Sequence, residues 1–301
     1  MIYAAVPREV ERVWGSLRSS EGRAVGEIWQ LYHTQRGESS GLRALSPPGC
    51  RTETTVADLV SEGLLPRNAM GVFPLLVKTL HTARALSVQV HPGASPGSPG
   101  RKDETWFVLG CGEDSWLACG LERGVGPDDL REAIESDGDP MRLMSRKKAR
   151  RGDILHLPAG CIHALGPGLE VLEIQANYDV TFRLYDWDRL GADGRPRELH
   201  TDLGLKALDW RTRAGCLRVG RMGSDRPDLS VCANPSYVLA WLEQGGHTLL
   251  AGSVAFVVEG SALADGEEAR AGTCLVSDAG GGELMMMGRG VRADPAGNGQ
   301  G

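Results

Sequence analysis

The chain has 301 residues, with 33 Lys and Arg against 39 Asp and Glu, a formal net charge of -6, and 41% hydrophobic residues. That balance excludes the broad cationic surface that nucleic-acid binders present, and no apolar run approaches the roughly 20 residues of a membrane-spanning helix. A soluble, cytoplasmic protein with neither a nucleic-acid nor a membrane partner is expected, long enough for two modest domains or one large one.

The 41 Gly and 16 Pro are spread along the chain and punctuate short apolar runs, which predicts turn-rich β structure. Val25 to Tyr32 has a strand composition, followed by Phe73 to Leu80, Ala85 to His91 and Trp106 to Leu109. Pro127 to Glu135 reads as a helix: proline suits the first turn, Asp128 and Asp129 complement the dipole, and Gly138 can end it. This helix belongs to an insert over about residues 127–150, whose basic run Arg146 to Arg151 reads as a solvated connection. Strand patterns resume at Ile154 to Leu157, Leu169 to Gln175 and Thr181 to Tyr185. Turn residues then dominate Gly191 to Pro196, and Thr201 is placed to cap a short helix from Asp202 to Leu208.

Residues 1–204 are therefore expected to form one domain and 205–290 a second, smaller one. The second shows strand patterns at Tyr237 to Leu242, Ala255 to Val258 and Thr273 to Val276. It offers His247 without a partnering Gln-x-His pair, so a metal-free β domain is expected. Residues 288–301, rich in glycine and lacking aromatics, read as a disordered tail. Seven cysteines, odd in number and without a Cys-x-x-Cys pair, fit a reduced thiol set better than a disulfide framework or a thiolate metal site.

The chemistry concentrates in Ser87-Val88-Gln89-Val90-His91-Pro92. In a strand Ser87, Gln89 and His91 share one face, with Leu86, Val88 and Val90 on the other. Together with Glu104 and His163 they supply two imidazoles, a carboxylate and a carboxamide, a set able to hold a divalent metal with positions left open. The run from Gly152 to His163 has the spacing Gly-x5-Pro-x-Gly-x2-His, which resembles the second motif of the cupin superfamily. A strand over Asp153 to Leu157, a tight turn at Pro158-Ala159-Gly160, and His163 re-entering a barrel mouth make physical sense of it. Pro167 stands where cupins usually carry Asn.

The first cupin motif normally reads His-x-His; here it reads Gln89-x-His91, with twelve residues before Glu104. That departure marks a resemblance to the type I mannose-6-phosphate isomerases, particularly their short bacterial members. Carrying it are Pro74 to Lys78, Leu86 to Pro92, Lys102 to Trp106, Gly152 to His163 and Arg183 to Arg189, in order between about residues 6 and 204. The resemblance implies a mainly β fold: a cupin jelly-roll barrel with the metal site and a small helical insert, plus a second, smaller, metal-free cupin-like domain. It implies one zinc ion per chain on Gln89, His91, Glu104 and His163, a donor set that other divalent transition metals could also occupy. The activity implied is interconversion of mannose 6-phosphate and fructose 6-phosphate through an enediol, with a small sugar phosphate as partner. With one carboxylate among the ligands the dication keeps a charge near +1, which favours an anionic intermediate.

Along Val171 to Gln175, Glu173 and Gln175 share a face opposite Leu172 and Ile174, and the same alternation groups Arg183 with Thr181. If the apolar faces pack against neighbouring layers, Glu173 and Arg183 look into the metal cavity. The resemblance places Lys78, Lys102, Glu173, Asp179 and Arg183 in or beside the active site. On that basis Glu173 is the base or its immediate partner, Arg183 stabilises the developing oxyanion or the substrate, and Lys102 with Ser87 helps hold the phosphate. Lys78 either assists ring opening or holds the phosphate, and Asp179 is a substrate-site residue. The glycine-rich Gly93 to Gly100 loop and Gln30 after Trp29 depart from the family pattern and bear on substrate selectivity. A metal-dependent cupin oxygenase and a non-catalytic sugar-binding cupin are the rival readings. Gln89 with Lys102 and Arg183 favours an anionic sugar over oxygen activation. The oligomeric state is not encoded in these patterns.

Overall fold

The computed structural model describes residues 1–45, 53–93, 100–136, 139–191, 193–210, 217–221 and 230–296. The fold is mainly β, and every strand pairing is antiparallel, arranged in three sheets. A five-stranded sheet runs in the order Met144–Lys148, Trp116–Leu121, His163–Leu165, Val88–Val90, Phe182–Tyr185. An eight-stranded sheet faces it, with Glu104–Cys111, Leu169–Ala176 and Leu75–His81 at its centre and Ala24–Leu31 next. These two sheets form the expected cupin-type barrel. Between them packs an apolar cluster that includes Trp14, Leu86, Val108, Leu117, Leu165 and Val171.

A ten-stranded sheet made mostly of residues 230–296 lies against the outer face of the eight-stranded one. Alternation along Leu169–Ala176 shows how the middle layer is built. Leu172 and Ile174 pack with Tyr237, Trp241 and Phe256 of the third sheet, while Glu173 and Gln175, one residue out of phase with them, turn to the barrel interior. Both faces are buried, which is why this strand carries almost no exposed residue.

Chain order and spatial order part company at several points. Ile2–Ala5 pairs with Cys274–Ser277 and with Gly41–Ala44, so the N-terminal segment belongs to the third sheet. Conversely, Leu217–Arg221 pairs with Asp153–Leu157 of the barrel. Hydrogen bonds thus cross position 204 in both directions.

The helix Pro127–Glu135 forms over the predicted residues, with the Asp129 carboxylate accepting the Gly126 N–H at 2.7 Å; Gly138 lies outside the described residues. The rest of the insert is not all connection, because Met144–Lys148 is an edge strand paired with Trp116–Leu121. Its basic run is held partly by the Arg146 guanidinium stacking 4.6 Å from the Trp116 ring centroid. The second helix starts at Thr201 and ends at Ala207, and its N-cap is His200, not Thr201. His200 Nδ1 instead accepts the Arg183 N–H at 3.1 Å.

The tail expectation is corrected as well. Gly288 to Pro295 form the second half of the strand Gly282–Pro295, with Val291 and Ala293 buried. The glycines there serve close packing: a Cβ on Gly288 would lie 2.0 Å from the Glu259 carbonyl oxygen, and one on Gly290 2.8 Å from that of Phe256. Residues 297–301 lie outside the described residues. Cys111, Cys232 and Cys274 are free thiols, but Cys119 is disulfide-bonded, so the all-thiol expectation does not hold. No helix among the described residues is long and apolar enough to cross a membrane.

Candidate active site

The barrel mouth is assembled from neighbouring strands in register. His163 sits opposite Gln89, and Gln89 opposite Arg183, on the five-stranded sheet. On the facing sheet Glu104 pairs with Gln175 and Leu157, and Glu173 lies between Lys78 and Trp106. The turn that returns the chain to His163 needs Gly160, whose φ of +88° disfavours a side chain and whose Cβ would come 2.9 Å from Asp209. Its N–H donates to the His91 carbonyl at 2.8 Å, which ties the two histidine segments together.

His91 Nε2 lies 3.1 Å from Glu104 Oε1, and His163 Nε2 3.7 Å from Glu104 Oε2. Candidate ligand atoms of these three buried residues all fall within 4.8 Å of one another. Each ring is oriented from behind: His91 Nδ1 faces the Val180 carbonyl at 3.0 Å, and His163 Nδ1 that of Cys161 at 2.9 Å. With Nδ1 as the donor, Nε2 presents its lone pair inward, the usual backing of a metal-binding imidazole. The Gln89 amide is 3.1 Å from His163 Nε2 through its nitrogen, and a half-turn of the amide plane presents Oε1 instead.

The donor set fits a divalent transition cation. Burial lowers both imidazoles, His163 to about 3 with His91 adding to the effect, so both are neutral at pH 7. Burial acts to raise Glu104, but His91 and Lys102 overcome it and hold the carboxyl well below the usual range. Glu104 Oε2 is buried with no hydrogen-bond partner in the protein. Two neutral imidazoles, an ionised carboxylate with a free oxygen and an amide are ligands that zinc accepts.

A cavity of about 320 Å³ opens beside this cluster, and its walls include Lys78, Ser87, Gln89, Lys102, Glu104, Glu173, Asp179 and Arg183. Eight of the ten residues singled out in the sequence thus line one cavity, and His91 and His163 contact Glu104 at its base. Lys78 Nζ is 2.9 Å from Glu173 Oε1, and Trp106 Nε1 donates to Glu173 Oε2 at 2.9 Å. Burial pushes Glu173 above the usual carboxylate range, helped by Glu104 and opposed by Lys78. The Lys78 ammonium is raised despite burial, because Glu173 and Glu27 both face it.

Lys102 and Ser87 do not form a pair. Lys102 Nζ rests 3.0 Å from Glu104 Oε1 and 3.4 Å from His91 Nε2, while Ser87 Oγ donates to Gln89 Oε1 at 3.3 Å. Arg183 Nη1 donates to the Glu198 carbonyl at 2.8 Å, and its Nε is buried without a hydrogen-bond partner among the described residues. The neighbouring Arg197 is bound to Asp186, with Nε 2.6 Å from Oδ2. The five remaining histidines, His33, His81, His156, His200 and His247, stand outside the cluster.

Arg12, Trp14, Glu27 and Trp29 also line the cavity and were not singled out in the sequence. Arg12 Nε and Nη2 grip the two Glu27 oxygens at 2.9 Å each, and Trp29 Nε1 donates to Oε2 at 2.7 Å. Burial alone would raise Glu27, but Lys78 and Arg12 bring it down to about 2. The signal available was the two-residue spacing of Glu27 and Trp29 in Ala24–Leu31. It is also the pattern of any half-exposed strand.

No family model matches the chain. It is 32% identical over 215 residues to mannose-6-phosphate isomerase ManA of Bacillus subtilis (strain 168), covering 66% of this chain and 65% of that protein. It is 35% identical over 211 residues to the probable mannose-6-phosphate isomerase GmuF of the same organism, again covering 66% of this chain and 65% of the relative. The chain thus spans just under two thirds of the length of the curated relatives it matches. Among solved structures, the mannose 6-phosphate isomerase from Bacillus subtilis superposes with a TM-score of 0.74 at 22% identity, over 97% of this chain and 99% of that one. A zinc-bound mannose 6-phosphate isomerase superposes with a TM-score of 0.70 at 15% identity, over 98% and 99%.

Proposed function

We propose that this homologue of the mannose-6-phosphate isomerases is a zinc-dependent aldose-ketose isomerase interconverting mannose 6-phosphate and fructose 6-phosphate. Gln89, His91, Glu104 and His163 would hold the zinc, with the site carried by the barrel and the ten-stranded sheet, mostly residues 230–296, forming the second β unit. The observation that carries the proposal is one cavity bearing both the His91–Glu104–His163 cluster and, on the same sheet as Glu104, a buried Lys78–Glu173 ion pair. An oxygenase or a passive sugar-binding cupin has no use for that pair.

Isomerisation of the open-chain sugar moves one proton between C1 and C2 and one between their oxygens, and negative charge develops on those oxygens as the enediol forms. When bound, zinc supplies Lewis-acid stabilisation of that charge, a contribution of several kcal/mol. Glu173 takes the carbon-bound proton and returns it to the neighbouring carbon. Its raised affinity for protons suits a base working nearer neutrality than a solvated carboxylate. Trp106 fixes Oε2, and Lys78 at Oε1 favours the carboxylate that re-forms as the proton is delivered to the neighbouring carbon. Arg183, with a donor left over at Nε, and Arg12 at the other wall give the cavity fixed cations for a phosphate ester.

The test couples metal analysis of the purified protein to conversion of mannose 6-phosphate before and after chelation. About one zinc per chain, activity abolished by chelator and restored by zinc, and exchange of the C2 proton with solvent deuterium are expected. Zinc-loaded protein that neither converts mannose 6-phosphate nor exchanges that proton would falsify the proposal.

A further inference from the structure

The metal-ligating segment is gripped from outside the barrel. Glu104 faces the cavity, so its neighbours Asp103 and Thr105 face the ten-stranded sheet, and both are fully buried. Each is met there by a hydroxyl from the C-terminal unit. Ser236 Oγ donates to Asp103 Oδ2 at 2.8 Å, and Tyr237 OH lies 3.1 Å from Thr105 Oγ1. Tyr237 OH also donates to the Ile174 carbonyl at 3.1 Å, and Thr105 Oγ1 has His156 Nδ1 as a second neighbour at 3.3 Å. One tyrosine therefore joins the strand bearing Glu104 to the residue after Glu173.

Asp103 extends the connection to a second ligand. Its Oδ1 accepts the Ala159 N–H at 3.0 Å, inside the turn that returns the chain to His163, and Arg101 holds its two oxygens at 2.6 and 2.7 Å. The hydroxyl pair is itself presented in a fixed way, because Asn234 Oδ1 accepts the N–H groups of Ser236 and Tyr237 at 2.8 and 3.1 Å. Burial keeps the Tyr237 phenol protonated and therefore a donor. Around these bonds the layers meet through apolar side chains, Leu172, Trp241 and Phe256 among them. Apolar contact would tolerate small slides of one sheet over the other; directed hydrogen bonds to the two neighbours of Glu104 do not.

We propose that the C-terminal unit positions the metal ligands, with Ser236 and Tyr237 as positioning residues acting through Asp103 and Thr105 on Glu104 and the His163 turn. Its consequence for metal affinity rests on the zinc reading above; the mechanical connection stands on the geometry alone. Removing the partners behind a metal ligand typically weakens metal binding about 10- to 100-fold.

The experiment uses the full chain as parent, Ser236→Ala, Tyr237→Phe and the double variant. Zinc affinity is measured by competition with a chromophoric chelator, and amide hydrogen exchange at residues 103–106 is measured without metal. The double variant should bind zinc about 10- to 100-fold more weakly. Its 103–106 amides should exchange at least about tenfold faster, the loss of roughly one hydrogen bond's protection. Ser236→Thr, which keeps the hydroxyl, should restore the Ser236→Ala deficit. A double variant that melts earlier yet binds zinc within about twofold of the parent, with exchange unchanged at 103–106, overturns the proposal, because a merely structural tie gives that result. If the double variant fails to fold, Tyr237→Phe decides by the same two readouts, since it leaves the ring in place. A parent that takes up no zinc sinks the zinc reading, and the exchange comparison still decides the positioning claim.

Discussion

Between the five- and eight-stranded sheets the inward rows end in Glu104, Trp106, Glu173 and Lys78. In the C-terminal unit the inward rows carry Ala255, Val257, Leu275 and Met286. The two interiors are walled by the same kind of antiparallel sheet, and they face different physical problems. In the barrel, Glu104, Glu173 and Lys102 are each less than 5% exposed, and ionised groups so buried persist only when paired. Each has a partner: Lys102 for Glu104, Lys78 for Glu173, and likewise Arg12 for Glu27. The C-terminal interior has no such obligation and contributes plain apolar burial. Chemistry and stability are thus lodged in separate layers, bridged by the apolar interface and by Ser236 and Tyr237.

The sharpest way to break that separation is to neutralise one cavity carboxylate. Glu173→Gln keeps the shape, leaves all four proposed ligands untouched, and removes the base. Turnover of mannose 6-phosphate should fall by about 10²- to 10⁴-fold with zinc content close to the parent's, and the melting temperature should drop because Lys78 loses its buried partner. Near-parental turnover in a folded, zinc-loaded variant would remove Glu173 from the chemistry and leave the barrel interior without its assigned base.

The converse substitution falls on the other interior. Leu275 is fully buried in the C-terminal core, and Leu275→Ala should cost about 2–5 kcal/mol of unfolding free energy through lost transfer energy and the cavity left behind. Measured by urea unfolding, that loss should be nearly the same at pH 6 and pH 3. The zinc affinity of the folded variant should stay unchanged. A large change in zinc affinity would mean that the two layers are coupled through their packing as well as through the two hydroxyls.

The same layering explains what could be read from residues alone. Ligand spacing is local: Gln89-x-His91 is set by strand alternation, and the return of His163 by the Pro158 to Gly160 turn, so the cluster was legible. Glu173 was legible for a related reason, because its apolar neighbours Leu172 and Ile174 needed a second layer to cover them. The placement of Ile2–Ala5 in the third sheet was not, since strand partners far apart in sequence leave no periodic trace. Gly288 and Gly290 were misread because a glycine that allows close approach of two backbones is compositionally identical to one in a loose tail. Arg12 is a lone basic residue beside the strand Arg8–Glu11, and only the fold brings it to Glu27.

That Arg12–Glu27 contact supplies the finest test of the comparison, because it ties stability to pH in one layer only. The Glu27 carboxyl has its ordinary value of 4.5 when exposed and about 2 in the fold. A depressed carboxyl stabilises the native state above the unfolded value and loses that contribution as the pH falls from 4.5 towards 2. The full difference is on the order of 3 kcal/mol. Glu27→Gln should therefore be destabilised most at pH 6, with the gap to the parent narrowing through pH 4 and mostly closed at pH 2.5, close to the folded carboxyl's own value. Urea unfolding of both proteins at the three pH values measures it. In Leu275→Ala no titrating group is removed, so its deficit should run flat across the same range. A Glu27→Gln deficit that ran equally flat would show that the carboxylate's charge adds nothing beyond its shape, and that the Arg12 and Lys78 cations are solvated well enough to do without it.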